Sequence, residues 1–372
     1  MPREPLRPVA LFLPSLGASG AERVAVNLAN GLIGAGRTVH LIVAKAQGSL
    51  LAQLPAGIKL VDLDSDRVLL SLPRLVRYLR RERPSGLISF MDHSNIVAIW
   101  ARGLAGSSTR IIATVHNTAS AATLKPRNRR AKVMPHFTRI FYGWADEIVA
   151  VSQGVADDLA RGTGLPAARI TVIYNPVITA DLLAARDPAP PHPWLEPGQP
   201  PVIMGVGRLT AQKDFFNLLR AFAEVRRRRQ VRLMIMGEGE DRPALEALAQ
   251  ELGIADDVLL PGFRLAIHTY LARAAVFVLS SAWEGLPTVV IEALALGRRV
   301  VSTDCPSGPR EILQGGRFGR LVPVRDHAAL GRAILDSLDD PATPVPAEAL
   351  EPFTEETAVA RYLAAVDGES RP

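Results

Sequence analysis

Short apolar runs alternate along the first half of the chain with longer segments whose apolar residues recur at helical spacing. Continuous apolar runs are typical of strands buried on both faces. Because they alternate with amphipathic helices, residues 1–180 are predicted to form a parallel sheet covered by helices on both sides. The predicted strands of this half are 9–13, 39–43, 58–63, 86–90, 110–114, 147–151 and 170–173.

The alternation stops at residues 181–200 and starts again after them. This segment is rich in proline, which can continue neither a helix nor a central strand, so we predict an interdomain linker here. Residues 201–352 then repeat the strand–helix pattern. The chain therefore predicts two Rossmann-like α/β/α domains, and ligands of such sheets bind beyond the carboxyl ends of the strands. If the two domains face each other, the site lies in the cleft between them.

The composition agrees with this architecture and also indicates the cellular compartment in which we expect the protein. The chain has 372 residues, of which 48% are hydrophobic, enough for two cores. Cys305 is the one cysteine, which rules out an internal disulfide and a cysteine metal cluster and fits a reducing cytoplasm. No apolar stretch is long enough to span a bilayer, and the N-terminal apolar run is too short for a signal peptide. We expect a cytoplasmic protein, soluble or peripheral on the inner face of the cytoplasmic membrane.

The net charge of +6 is unevenly distributed. Residues 1–190 contain 23 Lys and Arg against 13 Asp and Glu, whereas the remainder contains 20 against 24. Such a basic surface is consistent with simple solvation, an anionic membrane or an acidic acceptor. Nucleic acid is disfavoured because the basic clusters lack interleaved aromatic residues. The clusters are Arg74, Arg77, Arg80 and Arg81 on a predicted helix, and Lys125, Arg127, Arg129 and Arg130.

Two glutamates eight positions apart, Glu284 and Glu292, form the most informative segment of the chain. Proline is favoured in the first turn of a helix, so a helix is predicted to start near Pro287. A helix start offers free N–H groups and a positive dipole end, both suited to a phosphate. The two carboxylates could then hold hydroxyls on either side of that phosphate, as a sugar nucleotide requires.

Arg208 and Lys213 lie just beyond another predicted strand, in the sequence GVGRLTAQKD. Two cations at the carboxyl edge of a sheet suit a diphosphate, and we favour this interpretation over a solvated pair of charges. His116 also follows a strand, but a single histidine is more often structural than catalytic. Other strand ends carry glycines that let backbone approach a ligand, although each is a weak signal alone: Gly17, Gly20, Gly237, and Gly262 with Phe263.

No acidic pair stands in a context that suggests a metal. Asp157-Asp158 is predicted to begin a helix, where carboxylates complement the dipole, and Asp256-Asp257 is predicted to be a turn. The histidines lack metal-ligand spacing. We therefore expect neither a metal nor another cofactor.

These motifs, in this order, resemble the retaining glycosyltransferases of family 4, which have the two-domain GT-B fold. The resemblance covers nearly the whole chain, and the E-x7-E block with GRLTAQKD is its specific part. A C-terminal segment, FTEETAVARYLAAV, resembles the last helix of the family, which returns to the first domain at about 353–368. The remaining matches are GASGAER (17–23), TVHNT (114–118), VSQGVADDL (151–159), YNPV (174–177), MGEGEDRPALEALAQELG (236–253), and SGPREIL (307–313).

The resemblance also implies a role for each matching residue. Arg208 and Lys213 would neutralise the diphosphate leaving group, and Glu292 would hold the ribose hydroxyls. His116 would lie beside the donor sugar and the reaction centre. Glycines of the opposite domain would approach the phosphates, and the donor sugar and phosphate would be held by Glu284 with the backbone of Gly285, Leu286, Pro287 and Thr288.

The implied reaction moves a hexose or N-acetylhexosamine from a UDP-sugar to a lipid-linked or cell-surface glycan. It proceeds with retention by front-side attack and without a metal, because cations and a helix N-terminus stabilise the leaving group. Two alternatives stay open: an epimerase of the same fold acting on UDP-N-acetylglucosamine, and a catalytically silent scaffold that binds sugar nucleotides.

Overall fold

The computed structural model describes residues 7–17, 19–118, 138–187, 189–341 and 344–369. Contacts within the chain divide it into two compact units. The first unit runs to Val177 and resumes at Pro352, and the second is Ile178–Glu351.

The first unit is built on a parallel sheet with the strand order β3-β2-β1-β4-β5-β6-β7. Strands β1, β2 and β4 are fully buried, which explains their continuous apolar sequences. The strands are β1 (Val9–Leu13), β2 (Val39–Val43), β3 (Lys59–Asp62), β4 (Gly86–Phe90), β5 (Arg110–Val115), β6 (Glu147–Ala150) and β7 (Ile170–Val172); the helices before residue 177 include α1 (Gly20–Gly34), α2 (Leu72–Glu82), α3 (Asp92–Ala105) and α4 (Gln153–Thr163).

The second unit contains a parallel sheet with the order β10-β9-β8-β11-β12-β13. In both sheets the strand order reverses beside the first strand of the unit, which is where α/β sheets bind ligands. The strands are β8 (Val202–Val206), β9 (Arg232–Met236), β10 (Val258–Gly262), β11 (Val276–Leu279), β12 (Arg299–Thr303) and β13 (Arg320–Val322); the helices include α5 (Ala180–Ala184), α6 (Phe215–Arg228), α7 (Arg242–Glu251), α8 (Ile267–Leu271), α9 (Thr288–Ala295), α10 (Pro309–Ile312), α11 (His327–Asp339) and α12 (Ala347–Leu350).

A C-terminal helix, α13 (Glu355–Asp367), packs on the first unit against α1 and β4. Two glycines make room for it. A Cβ at Gly31 would lie 2.5 Å from a methyl of Val359, and one at Gly86 would lie 2.8 Å from a methyl of Val366. Tyr362 is fully buried in the same contact. Close packing of this kind ties the last segment to the core of the first unit.

The proline-rich segment 181–200, which the sequence predicted to be the interdomain linker, belongs by its contacts to the second unit. Leu182 is fully buried and Leu195 is 6% exposed. Arg186 Nε donates to Ala295 O at 3.3 Å, which joins the segment to the end of α9. Apolar residues between the prolines therefore pack the segment against the second unit. The boundary between the two units lies before the segment, at residue 177.

Candidate functional site

Three strand ends of the second unit carry glycines that pack on one another. The Gly207 amide donates to Met236 O at 2.9 Å, and the Gly237 amide donates to Gly262 O at 3.1 Å. A Cβ at Gly237 would lie 1.9 Å from Gly207 O. These glycines let neighbouring loops touch, which is a packing role that the sequence did not indicate. The nucleotide contacts expected of Gly237 and Gly262 stay a prediction.

Lys213 and Glu284 form an ion pair at the carboxyl edge of this sheet. Lys213 Nζ lies 2.6 Å from Glu284 Oε1, and Ser281 Oγ donates to the same oxygen at 2.6 Å. Glu284 is 6% exposed. The side chain of Lys213 lies across Gly207, where a Cβ would come within 2.8 Å of Lys213 Cε. The structure thus brings together the predicted phosphate cation and the predicted sugar-binding carboxylate.

The loops that carry this pair are fastened to each other by further hydrogen bonds. Ser280 Oγ donates to Lys213 O at 2.7 Å, and Gln212 Nε2 donates to Trp283 O at 3.1 Å. The Ala282 amide donates to Gln212 O at 2.8 Å. The position of the cation is therefore fixed by backbone and side-chain contacts on both sides.

Arg208, the second predicted phosphate cation, is exposed. In the part of the chain that the structure describes, its guanidinium has no ion pair or hydrogen bond. An arginine fork left open in this way can bind a phosphate through two parallel hydrogen bonds. The two cations therefore differ, since Lys213 is held by Glu284 and Arg208 is available.

Helix α9 starts at Thr288 with Pro287 as its N-cap, as the sequence predicted. The loop before it is supported by the SGPREIL motif. Ser307 Oγ donates to Gly285 O at 2.7 Å, and a Cβ at Gly308 would lie 2.4 Å from Pro287 Cδ. The motif thus supports the loop that leads into α9, and the first amides of a helix lack partners within it and suit an anion.

Two apolar residues of the predicted donor site differ in exposure. Leu286 is buried, with 7% of its surface exposed, whereas Phe263, after β10, is 37% exposed. Phe263 is therefore the more accessible of the two to a ligand.

Glu292 lies in the second turn of α9 and is 5% exposed. Its Oε2 atom is 3.5 Å from Nε2 of His268, a residue of α8 that the sequence did not indicate. Among the described residues neither atom has a hydrogen-bond partner. Because buried polar atoms are normally bonded, this pair calls for an explanation in terms of function.

In the first unit, His116 follows β5 directly. Its Nε2 lies 2.9 Å from Thr114 Oγ1, and its ring stacks on Phe90 with centroids 5.4 Å apart. Burial lowers the pKa of His116 to about 4. The imidazole is therefore neutral at physiological pH and can act by hydrogen bonding rather than by charge.

A hydrogen-bond network next to His116 was not predicted. The Tyr142 hydroxyl donates to Asp92 Oδ1 at 2.8 Å and accepts from Asn95 Nδ2 at 2.8 Å. Asn95 Nδ2 also donates to the carbonyl of Thr114, whose hydroxyl contacts His116. Burial raises the pKa of Tyr142, so this hydroxyl stays protonated and orients the Asp92 carboxylate.

The glycine turn before α1 is organised by Glu22. Its carboxylate accepts hydrogen bonds from Ser15 Oγ and from the Ser19 amide, both at 2.9 Å. A Cβ at Gly17 would lie 3.0 Å from Glu22 Oε2, whereas one at Gly20 would meet nothing within 4 Å. Gly17 therefore makes room for the cap, and Gly20 leaves open space at the helix start.

The basic residues of α2 are exposed, but most already have partners. Arg74 pairs with Asp64 at 3.3 Å and Arg81 with Glu82 at 2.9 Å, while Arg80 donates to Leu104 O at 2.7 Å. The second predicted cluster, Lys125, Arg127, Arg129 and Arg130, lies outside the described residues.

Within the described ranges, no group of three or more His, Cys, Asp or Glu residues is placed to hold a metal ion. No helix in those ranges is both long and apolar enough to cross a membrane.

Two family models match the chain, one in each half. The model described as Glycosyltransferase Family 4 matches residues 18–181, and the model described as Glycosyl transferases group 1 matches residues 200–340. Together they span most of both units.

Similar proteins agree with the family models. The N-acetylgalactosamine-N,N'-diacetylbacillosaminyl-diphospho-undecaprenol 4-alpha-N-acetylgalactosaminyltransferase of Campylobacter jejuni is 29% identical over 90% of this chain and 91% of its own length. The lipopolysaccharide 1,6-galactosyltransferase of Salmonella typhimurium is 28% identical over 63% of this chain and 67% of its own length. The crystal structure of Anabaena HepE in complex with UDP and glucose superposes with a TM-score of 0.78 at 19% identity, over 96% of this chain and 98% of its own. The chain therefore belongs to the family 4 (group 1) glycosyltransferases and has their two-domain GT-B fold.

Proposed function

We propose that this glycosyltransferase moves a hexose or N-acetylhexosamine from a UDP-sugar to a lipid-linked or cell-surface glycan, with retention at the anomeric carbon. The observation that carries the proposal is the cluster at one sheet edge of the second unit. There the open guanidinium of Arg208, the Lys213–Glu284 pair and the N-terminus of α9 lie on the loops that follow β8 and β11, which are neighbours in the sheet. Such a cluster suits a sugar diphosphate.

The cations also explain how the reaction is accelerated. Departure of the sugar concentrates charge on the diphosphate, and Lys213 and Arg208 stabilise that charge more in the transition state than in the bound donor. We propose that they and the helix start fill this role without a metal. His116, being neutral, would hydrogen-bond the donor sugar.

Retention would follow from attack on the face that the diphosphate leaves, with the departing phosphate taking the proton of the acceptor hydroxyl. A glycosyl-enzyme adduct trapped on Glu284 or Asp92 would contradict this mechanism and indicate two successive displacements instead.

The choice of donor and acceptor class rests on the similar proteins. The Anabaena structure contains UDP and glucose, and the Campylobacter jejuni relative is named for transfer of N-acetylgalactosamine to a diphospho-undecaprenol-linked glycan. The sheet edge described above fits a UDP-sugar, and the arginine-rich first unit fits an acceptor that carries phosphate.

Incubation with a panel of nucleotide sugars, without acceptor, tests the proposal. We expect slow release of UDP from one UDP-hexose or UDP-N-acetylhexosamine, because water substitutes poorly for the acceptor. UDP is quantified by a coupled assay, and the sugar is analysed by chromatography. A scaffold would release no UDP from any donor, and an epimerase would convert one intact UDP-sugar into another.

We further propose that the basic face of α2 binds the anionic inner surface of the cytoplasmic membrane, where a lipid-linked acceptor would lie. Each arginine near such a surface contributes about 1 kcal/mol at moderate ionic strength. In flotation with vesicles containing anionic lipid, the double variant Arg77→Glu, Arg81→Glu is expected to bind at least about tenfold more weakly than wild type.

The matched control for that experiment is Arg227→Glu with Arg228→Glu, exposed residues at the end of α6 in the second unit. It changes the net charge equally and should leave flotation unchanged. Wild-type binding that does not respond to anionic lipid or to salt would contradict the membrane proposal.

A further inference from the structure

Nε2 of His268 and Oε2 of Glu292 lie 3.5 Å apart, and both atoms are buried from solvent. Protein hydrogen bonds between nitrogen and oxygen normally measure 2.7–3.2 Å, so the contact is close without being bonded. A buried carboxylate oxygen without a hydrogen bond is destabilising, because it has lost the hydrogen bonds that it would make in water.

The places of Glu292 and His268 in the fold indicate what this contact could do. Glu292 stands on α9, whose first turn lies at the proposed diphosphate site, and His268 stands on α8, a separate element. Among the described residues, the His268 imidazole is the one basic group found within 4 Å of the Glu292 carboxylate. Because Oε2 is turned inward toward the imidazole, a ligand would meet the other carboxylate oxygen. The histidine is therefore placed to control how that oxygen is presented.

We propose that His268 is a positioning residue for the donor nucleotide. Its Nε2–H donates to Glu292 Oε2 when the donor is bound, and this fixes the carboxylate so that its outer oxygen accepts hydrogen bonds from the ribose hydroxyls. Contacts behind a ligand-binding group commonly tighten only in the complex, and they set its orientation much as outer groups orient metal ligands. The inference rests on the proposed function, since it assumes a nucleotide donor whose ribose meets Glu292.

Dissociation constants for UDP and for 2',3'-dideoxy-UDP, measured by calorimetry, test the inference in the full-length protein. Wild type should bind UDP more tightly, since a hydrogen bond to a charged group is worth roughly a factor of ten. The His268→Ala variant should lose roughly tenfold in UDP affinity but bind dideoxy-UDP as wild type does. The His268→Gln variant keeps an N–H donor and should stay within about threefold of wild type for UDP.

Each contrary result has a distinct meaning. Equal weakening of both nucleotides in His268→Ala, or no weakening of either, would overturn the positioning role, because only the ribose hydroxyls depend on it. Loss of UDP affinity in His268→Gln equal to that in His268→Ala would also overturn it. If wild type bound no UDP, the proposed function itself would be wrong, and if wild type bound both nucleotides equally, the ribose role of Glu292 would be wrong. Thermal unfolding of each variant confirms that it is folded at the temperature of the titration.

Discussion

The Lys213→Met variant is expected to release UDP from the donor about 10²- to 10³-fold more slowly than wild type. Methionine retains an apolar stem of similar length that can lie across Gly207, so the change removes the charge and little of the packing. Without the ammonium group, the charge that develops on the departing diphosphate has lost a fixed partner in a partly buried site. The measurement is the initial rate of UDP release at saturating donor.

A loss of rate caused by unfolding of the variant must be distinguished from a slower reaction in the folded variant. Lys213 neutralises Glu284, whose side chain is 7% exposed, so its removal is expected to cost about 1–3 kcal/mol of unfolding free energy. Arg208→Ala is the matched comparison, because Arg208 is exposed and lacks a partner among the described residues. It should lose activity by about 10²-fold while unfolding at the wild-type urea concentration.

Two outcomes would contradict the phosphate role of Lys213. One is retention of more than about a third of the wild-type rate in Lys213→Met, too small a loss for a transition-state contact. The other is a loss of rate in Lys213→Met that disappears at low temperature, where the variant is fully folded. In that case the lysine would serve to stabilise the loop that carries Glu284.

Both ends of a strand could be predicted correctly wherever its apolar run is uninterrupted. This holds for β1, β2 and β4, whose bounds agree with the sequence pattern because both faces of each strand are buried. Strand β13 (Arg320–Val322) was not predicted, since three residues that include an arginine carry too little pattern. Helix α11 was not predicted either. The contacts that segment 181–200 makes with the second unit could not be predicted, because scattered leucines between prolines give no period.

The residues of the candidate site could be proposed from the sequence, but the contacts between them could not. Arg208, Lys213 and Glu284 follow strand ends, and Glu292 lies in the second turn of α9. The Lys213–Glu284 ion pair joins residues that are 71 positions apart, and no local pattern encodes such a distance. His268 is a single histidine in a short helix, and only the structure brings it beside Glu292.

The Gly237→Ala variant is expected to lose about 3–5 kcal/mol of unfolding free energy and nearly all UDP release. The new Cβ would lie 1.9 Å from Gly207 O, which is backbone and cannot move without displacing the loop. That loop carries Arg208 and Lys213, so relief of the clash would shift both cations away from the diphosphate. A displacement of about 1 Å is enough to cost about 10²-fold in rate. Urea unfolding and initial rates of UDP release measure the two effects.

Gly253→Ala is the matched control, because it tests backbone strain without a clash. Gly253 ends the turn after α7 with φ of 68°, and a Cβ there would meet nothing within 4 Å. The control should cost about 1–2 kcal/mol, the usual penalty for an L-residue in the left-handed region, and leave the rate unchanged. If Gly237→Ala unfolded at the same urea concentration as Gly253→Ala, the contact with Gly207 would contribute nothing. If Gly237→Ala were destabilised but fully active when folded, the glycine stack would stabilise the second unit without positioning the cations.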